Sequence, residues 1–154
     1  MLQEEIKGFL NDLFYQMRKI EESALSAGLN IPVSITEIHI LEKIGPGGAA
    51  RMGDIASMLG VTLATLTVAC DKLEGKGLIE KKRGGNDKRA VQVTLTDSGI
   101  MAYRFHENFQ KGLVEAALHD LTGEEQRLLG LSVKKLEAFF EKQAKKEISG
   151  IKNK

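Results

Sequence analysis

Apolar residues at Leu2, Ile6, Phe9, Leu10, Leu13, Met17 and Ile20 recur in steps of three and four, the stripe of an amphipathic helix. The spacing predicts a helix from residue 2 to about residue 26, closed by Gly28, Asn30 and Pro32. Ser34 and Glu37 then form a capping box, each side chain satisfying a free N–H group of the other. That box opens a helix carrying Ile38, Leu41 and Ile44, and Gly45-Pro46-Gly47-Gly48 stops it.

A short helix is expected from Arg51 to Leu59, with Met52, Ile55, Ala56 and Leu59 inward, before Gly60 breaks it. Thr62 caps the next helix, which runs to about Lys76 and ends at Gly77. Leu78 to Lys82 reads as a strand, Gly84-Gly85-Asn86-Asp87 as a turn, and Ala90 to Leu95 as a returning strand. In the return, Val91, Val93 and Leu95 alternate with Gln92 and Thr94, the period of a half-buried strand. Thr96 caps a long helix with Ile100, Phe105, Phe109, Leu113 and Leu121. Thr122 and Glu125 form a second capping box before a helix with Leu129, Val133, Leu136 and Phe140. The lysine-rich tail from Lys142 to Lys154 is expected to fray.

Two short helices separated by Gly60-Val61 make a helix-turn-helix pattern. Such a unit lays its second helix in the major groove of duplex DNA, leading with that helix's N-terminal residues. By helical period, Leu66, Ala69, Cys70 and Leu73 pack inward, while Ala64, Val68, Asp71 and Gly75 face out beside Thr65, Thr67 and Lys72. The candidate contacts on this helix are Thr62, Leu63, Ala64, Thr65, Thr67, Val68 and Lys72. Threonine hydrogen-bonds base edges, and Ala, Thr and Val touch a thymine methyl. With no arginine present to fork onto guanine, A/T-rich recognition is expected.

The hairpin adds charge. Lys81, Lys82, Arg83, Lys88 and Arg89 stand against the single acid Asp87. An arginine at such a tip reaches a narrow minor groove, lysines supply salt-dependent phosphate contacts, and Asp87 orients Arg89. The candidate contacts here are Lys82, Arg83, Asn86, Asp87, Lys88 and Arg89. Outside a helix-turn-helix context the same run reads as a solvated turn.

Composition narrows the field. The 154 residues are 42% apolar and 28% charged, a globular balance. Net charge is only +1, so any basic footprint is local. Cys70 is the single cysteine, which suits a reducing compartment. Its inward position makes it a small apolar residue rather than a redox sensor. No apolar run approaches the ~20 residues that span a bilayer, and the N-terminus lacks a signal-peptide pattern. A cytoplasmic protein with no membrane partner is expected. His39, His106 and His119 are not at ligand spacing, so no metal site is expected and His39 reads as structural. No cofactor signature is present either. Gly45-Pro46-Gly47-Gly48 lacks the Gly-Lys-Ser/Thr of a phosphate loop, and no nucleophile elbow or metal pair suggests an enzyme. Phe9, Phe14, Phe105, Phe109, Phe139 and Phe140 lie on helical stripes, as core, as dimer interface or as the lining of an apolar ligand cleft. The first and last helices carry more apolar surface than a compact helix-turn-helix core needs, which predicts burial against a second copy.

Leu59-Gly60-Val61-Thr62, Leu73-Glu74-Gly75-Lys76-Gly77-Leu78-Ile79-Glu80-Lys81, Asn86-Asp87-Lys88-Arg89 and Val93-Thr94-Leu95-Thr96-Asp97-Ser98-Gly99 resemble the MarR family of winged helix-turn-helix regulators, across nearly the whole chain. Val61 to Thr67, Ile20-Glu21-Glu22, Ser34 to His39 and Phe109-Gln110-Lys111 are similar to the FabT-like repressors of bacterial fatty-acid synthesis within it. The resemblance implies a mainly α fold with a small β-hairpin wing, a winged helix-turn-helix flanked by N- and C-terminal dimerisation helices. Residues 1–154 then form one domain, with 34–95 as the DNA-binding part and 1–28 and 97–148 as dimerisation helices. It implies a homodimeric repressor on an inverted-repeat operator of double-stranded DNA, with Arg89 in the minor groove and the helix from Thr62 in the major groove. It further implies an effector such as an acyl chain on acyl carrier protein. Many family members carry a basic residue where Val68 stands, so more apolar major-groove contacts are expected. The rival readings are a winged-helix module that binds protein instead of DNA and a small-molecule-binding enzyme.

Overall fold

The computed structural model describes residues 1–84 and 90–152, with side chains to residue 147. Helix α1, Leu2–Gly28, is followed by α2, Ile35–Ile44. The α2 capping box is present: Glu37 N–H donates to Ser34 Oγ at 3.2 Å and Ser34 N–H to Glu37 Oε2 at 2.9 Å. A two-residue strand β1, Ala50–Arg51, leads into α3, Met52–Leu59, and then α4, Leu63–Gly75. Strands β2, Ile79–Arg83, and β3, Val91–Leu95, precede α5, Asp97–Leu118, and α6, Gly123–Lys152. The fold is therefore mainly helical with one small antiparallel sheet, in the order β1-β3-β2.

Three expectations need correction. Arg51 belongs to a strand, pairing with Gln92, and not to the helix that follows. A strand of two residues is too short to leave a period in the sequence. The helix capped by Thr96 ends at Leu118, short of Leu121. Gln126 explains the stop, since its Nε2 donates to the carbonyls of Leu118 and Leu121, both at 3.1 Å. The final helix runs past Lys142 to Lys152, on a run of good helix formers from Glu141 to Glu147.

Met1–Gln110 form one compact unit and Lys111–Lys154 a second, with α5 running from the first into the second. The core of the first unit lies under the helix-turn-helix. Ile38, Leu41, Ile55, Leu66, Cys70, Leu73, Leu78, Ile79 and Val93 are all fully buried there. These residues come from five different elements and from the turn before β2, so one apolar cluster sets the position of α4 against the sheet. Gly99 closes the base of that assembly. A Cβ there would stand 2.0 Å from the Leu78 carbonyl oxygen, so only glycine lets α5 approach the start of β2. Thr96 ties the same point twice: its hydroxyl donates to Gly77 O at 2.6 Å and accepts from Gly99 N–H at 3.1 Å.

One polar cluster is buried, and nothing in the spacing of residues announced it. His106 of α5 has no exposed surface, with Nδ1 2.7 Å from Glu42 Oε1 of α2 and Nε2 3.1 Å from Glu21 Oε1 of α1. Gln110 Nε2 donates to the same Glu21 oxygen at 3.2 Å. His39 and Phe109 stack edge-on or tilted near the His106 ring, at 6.2 and 6.4 Å between centroids. Three helices are thus pinned by one imidazole.

An ion pair joins α2 to the end of α4. Lys76 Nζ lies 2.9 and 2.8 Å from the two Glu37 oxygens and donates to Pro32 O at 2.7 Å. Burial alone pushes the Glu37 carboxyl up, but hydrogen bonds from Lys76 and Ser34 outweigh it and hold it below its ordinary 4.5. A carboxyl whose pKa drops on folding stabilises the fold above its unfolded value and loses that contribution as pH falls through the folded one. Glu37→Gln is therefore expected to be less stable than wild type near neutral pH, with the gap closing as pH drops below 4.5. Denaturant melts at both pH values check this, and a pH-independent gap contradicts it.

Candidate nucleic-acid interface

Helices α3 and α4 meet at a 111° bend, within the range of helix-turn-helix units. Gly60 makes the turn, at φ 66 and ψ 30, where a side chain is disfavoured. Thr62 caps α4, accepting Thr65 N–H at 3.1 Å. The expected facing is observed: Leu66, Cys70 and Leu73 are buried and Ala69 is half-buried. Thr62, Leu63, Ala64, Thr65, Val68, Asp71, Lys72 and Gly75 are exposed, and Thr67 is half-buried.

The threonines are not equivalent. Thr62 Oγ1 donates to Thr65 Oγ1 at 2.9 Å, and Thr67 Oγ1 donates to Leu63 O at 2.8 Å. Both hydroxyl protons are engaged within the helix, which leaves these residues as acceptors and methyl surfaces. Leu63 and Val68 stay more than half exposed, at 55% and 58%. The leading turns of α4 therefore present an apolar, lightly polar surface, suited to thymine methyls.

A cleft of about 550 Å³ brings this helix and the hairpin together. Leu63 and Thr67 line it from α4, and Lys82 and Arg83 line it from β2. Arg51 of β1 lines it as well. That residue is missing from the sequence-based candidates, because a lone arginine before α3 carries no signal until β1 pairs with β3. Two candidates border other hollows. Lys72 borders a second cleft with Pro32, Glu37 and Lys76, and Thr65 borders a small hollow with Thr36, His39 and Val61. The candidates Asn86, Asp87, Lys88 and Arg89 lie outside the described residues.

Residues 33–91 match the MarR family. The "Uncharacterized HTH-type transcriptional regulator YwhA" of Bacillus subtilis is 34% identical over 109 residues, covering 69% of this chain and 78% of that protein. The chain belongs to the MarR family. It is thus a transcriptional regulator and not an enzyme. The "HTH-type transcriptional repressor MdtR" of the same bacterium is 27% identical, covering 80% of this chain and 78% of that protein. The match to another of its regulators, YhjH, spans only 57% of that protein's length. Among solved structures, Streptococcus pneumoniae FabT in complex with DNA superposes with a TM-score of 0.85 at 32% identity, covering 91% of this chain and 98% of that one. Among the described residues no single helix is long and apolar enough to cross a membrane.

Cys70 lies directly under the exposed face of this MarR-type helix, fully buried. Burial pushes its thiol up to about 11, while Lys81 acts in the opposite sense and Asp71 and Glu74 add to the rise. Thiolate is the reactive form, so both access and ionisation protect it. The native protein is expected to react with a chromogenic disulfide reagent far more slowly than the denatured chain. Labelling of native protein at the denatured rate would remove Cys70 from the core.

Proposed function

We propose that this chain is a cytoplasmic transcriptional repressor that binds an inverted-repeat operator in double-stranded DNA as a homodimer. Helix α4 enters the major groove and the β2–β3 hairpin reaches the adjacent minor groove. The observation that carries this reading is the shared cleft. The lead of α4, through Leu63 and Thr67, and the basic root of the hairpin, through Lys82 and Arg83, open on one concave surface. In this reading Thr62, Ala64 and Val68 extend that surface along the groove, and Thr65 and Lys72, which border other hollows, lie toward its edges. Arg51 joins Lys82 and Arg83 as a phosphate contact. The complex of FabT with DNA and the repressor designation of MdtR support the same assignment.

Neutralising a phosphate releases counterions, so each contact contributes roughly 0.9 to the slope of log affinity against log salt. Lys82→Ala and Arg83→Ala are each expected to weaken binding and to lower that slope by about 0.9. Fluorescence anisotropy over a salt series, on a duplex selected by the wild-type protein from a random pool, checks this. An unchanged slope in both variants removes the hairpin from the interface.

The dimer reading rests on apolar surface that folding leaves uncovered. Along α1, Phe9 and Phe14 are 61% and 74% exposed, and along α6 Leu136 and Phe140 are 50% and 51% exposed. Lone exposed apolar residues are ordinary, but repeated stripes of this kind mark an interaction site. Residues 1–28 and 97–148 serve in this reading as dimerisation helices, around a DNA-binding part at 34–95. Sedimentation equilibrium at micromolar concentration is expected to give twice the chain mass, and Phe14→Lys combined with Phe140→Lys the chain mass. A monomeric wild type contradicts the dimer.

The effector in this reading is an acyl chain, free or on acyl carrier protein, as the resemblance of the sequence motifs implies. A ligand of this kind acts only by binding one conformation of the dimer more tightly than another. Operator selection with and without fatty-acyl ligands tests that step.

A further inference from the structure

The surface proposed to face DNA carries two acids where phosphate repulsion disfavours them. Asp71 and Glu74 lie one turn apart on α4, both exposed. Both are directed at the hairpin. Lys81 Nζ donates to Asp71 Oδ1 and lies 3.2 Å from Glu74 Oε2. The Lys81 backbone N–H also donates to Glu74 Oε1, at 3.1 Å. Glu74 therefore holds β2 through main chain and side chain of one residue.

Exposure separates Lys81 from its neighbours. Its side chain is only 22% exposed, against 57% and 44% for Asp71 and Glu74, while Lys82 and Arg83 are exposed. On the other side of the strand pair, Lys81 stands opposite the buried Val93. Hydrogen bonding to Asp71, with Glu74, holds the Lys81 ammonium above its ordinary 10.5 against the pull of burial, so Lys81 is charged throughout the neutral range.

We propose that Lys81 is a positioning residue that clamps the root of the β2–β3 hairpin to α4 through Asp71 and Glu74, setting the spacing between the helix and the basic side chains of Lys82 and Arg83. This rests on the DNA-binding reading above. In it, the two acids increase DNA affinity, because placing the hairpin outweighs their repulsion of phosphate. Simple electrostatics requires the opposite sign.

The test uses the full chain and a fluorescein-labelled duplex selected by wild type from a random-sequence pool. The double variant Asp71→Asn/Glu74→Gln is expected to bind about fivefold more weakly, the scale of losing two partly exposed polar contacts. Its salt slope is expected to stay at the wild-type value. Lys81→Met is expected to weaken binding with the slope likewise unchanged, whereas Lys81→Arg restores affinity. Hydrogen exchange without DNA supplies an independent readout: β2 amides are expected to exchange faster in the double variant, with the melting temperature near that of wild type. Tighter or unaltered binding by the double variant overturns the clamp, as does a Lys81→Met slope reduced by about 0.9, the mark of a phosphate contact. If Lys81→Met does not fold, the two surface acids still decide the matter. A wild-type chain that selects no duplex overturns the DNA reading, and the exchange rates then decide the clamp alone.

Discussion

The buried row Leu66, Cys70 and Leu73 governs the rest of this molecule. A helix has one period, so fixing which residues go under it also fixes which residues face out. Here the inward row packs into a core shared with Ile38, Leu41, Ile55 and Val93. The exposed row, from Thr62 through Val68 to Asp71, follows with no further instruction. Because the same core holds Ile79 of β2 and Val93 of β3, the hairpin root is placed by the packing that orients α4. Close packing of this kind tolerates little slippage. A regulator of transcription in the MarR family thus derives its presented surface from its core.

What the sequence revealed follows from the range over which each signal acts. The boxes at Ser34 and Glu37 and at Thr122 and Glu125 are local, satisfied within one turn, and both form as expected. The inward and outward faces of α4 are local too. The strand β1 and the membership of Arg51 in the cleft depend on pairing with Gln92, forty-one positions away, and no local pattern encodes that. The His106 cluster likewise joins residues from three helices. Its sequence shows a lone histidine and two of many glutamates. Charge counting had a comparable limit at the hairpin. Lys81, Lys82 and Arg83 read as one basic run, yet Lys81 is turned onto acids of α4 while its two neighbours are exposed.

The stripe on α1 shows the same limit from another direction. Its periodicity predicted an apolar face, and the helix forms, but its buried residues in this chain are Glu21 and Leu25 rather than Ile6 or Phe9. An amphipathic pattern states that a face is to be covered, and it does not state by what. Within one chain, the inner end of α1 is held by His106 through Glu21, while its outer end keeps Phe9 and Phe14 exposed. Division of one helix between an intramolecular anchor and an uncovered stripe is the arrangement expected where a second copy completes the packing.

Placement of charge then decides how a nearly neutral chain can act on a polyanion. With a net charge of +1, long-range attraction to DNA is weak, and affinity must come from a few cations brought to one surface. Every acid on that surface subtracts from the attraction unless it is neutralised locally. Lys81 offsets only one of the two negative charges of Asp71 and Glu74 at contact distance, and the three further cations that line the same cleft, Arg51, Lys82 and Arg83, turn the local balance positive. The ion triad itself stays net negative, and what it adds is a connection between helix and hairpin. On the clamp proposed above, those two acids are tolerable on a DNA-facing surface because the geometry they impose brings the remaining cations together.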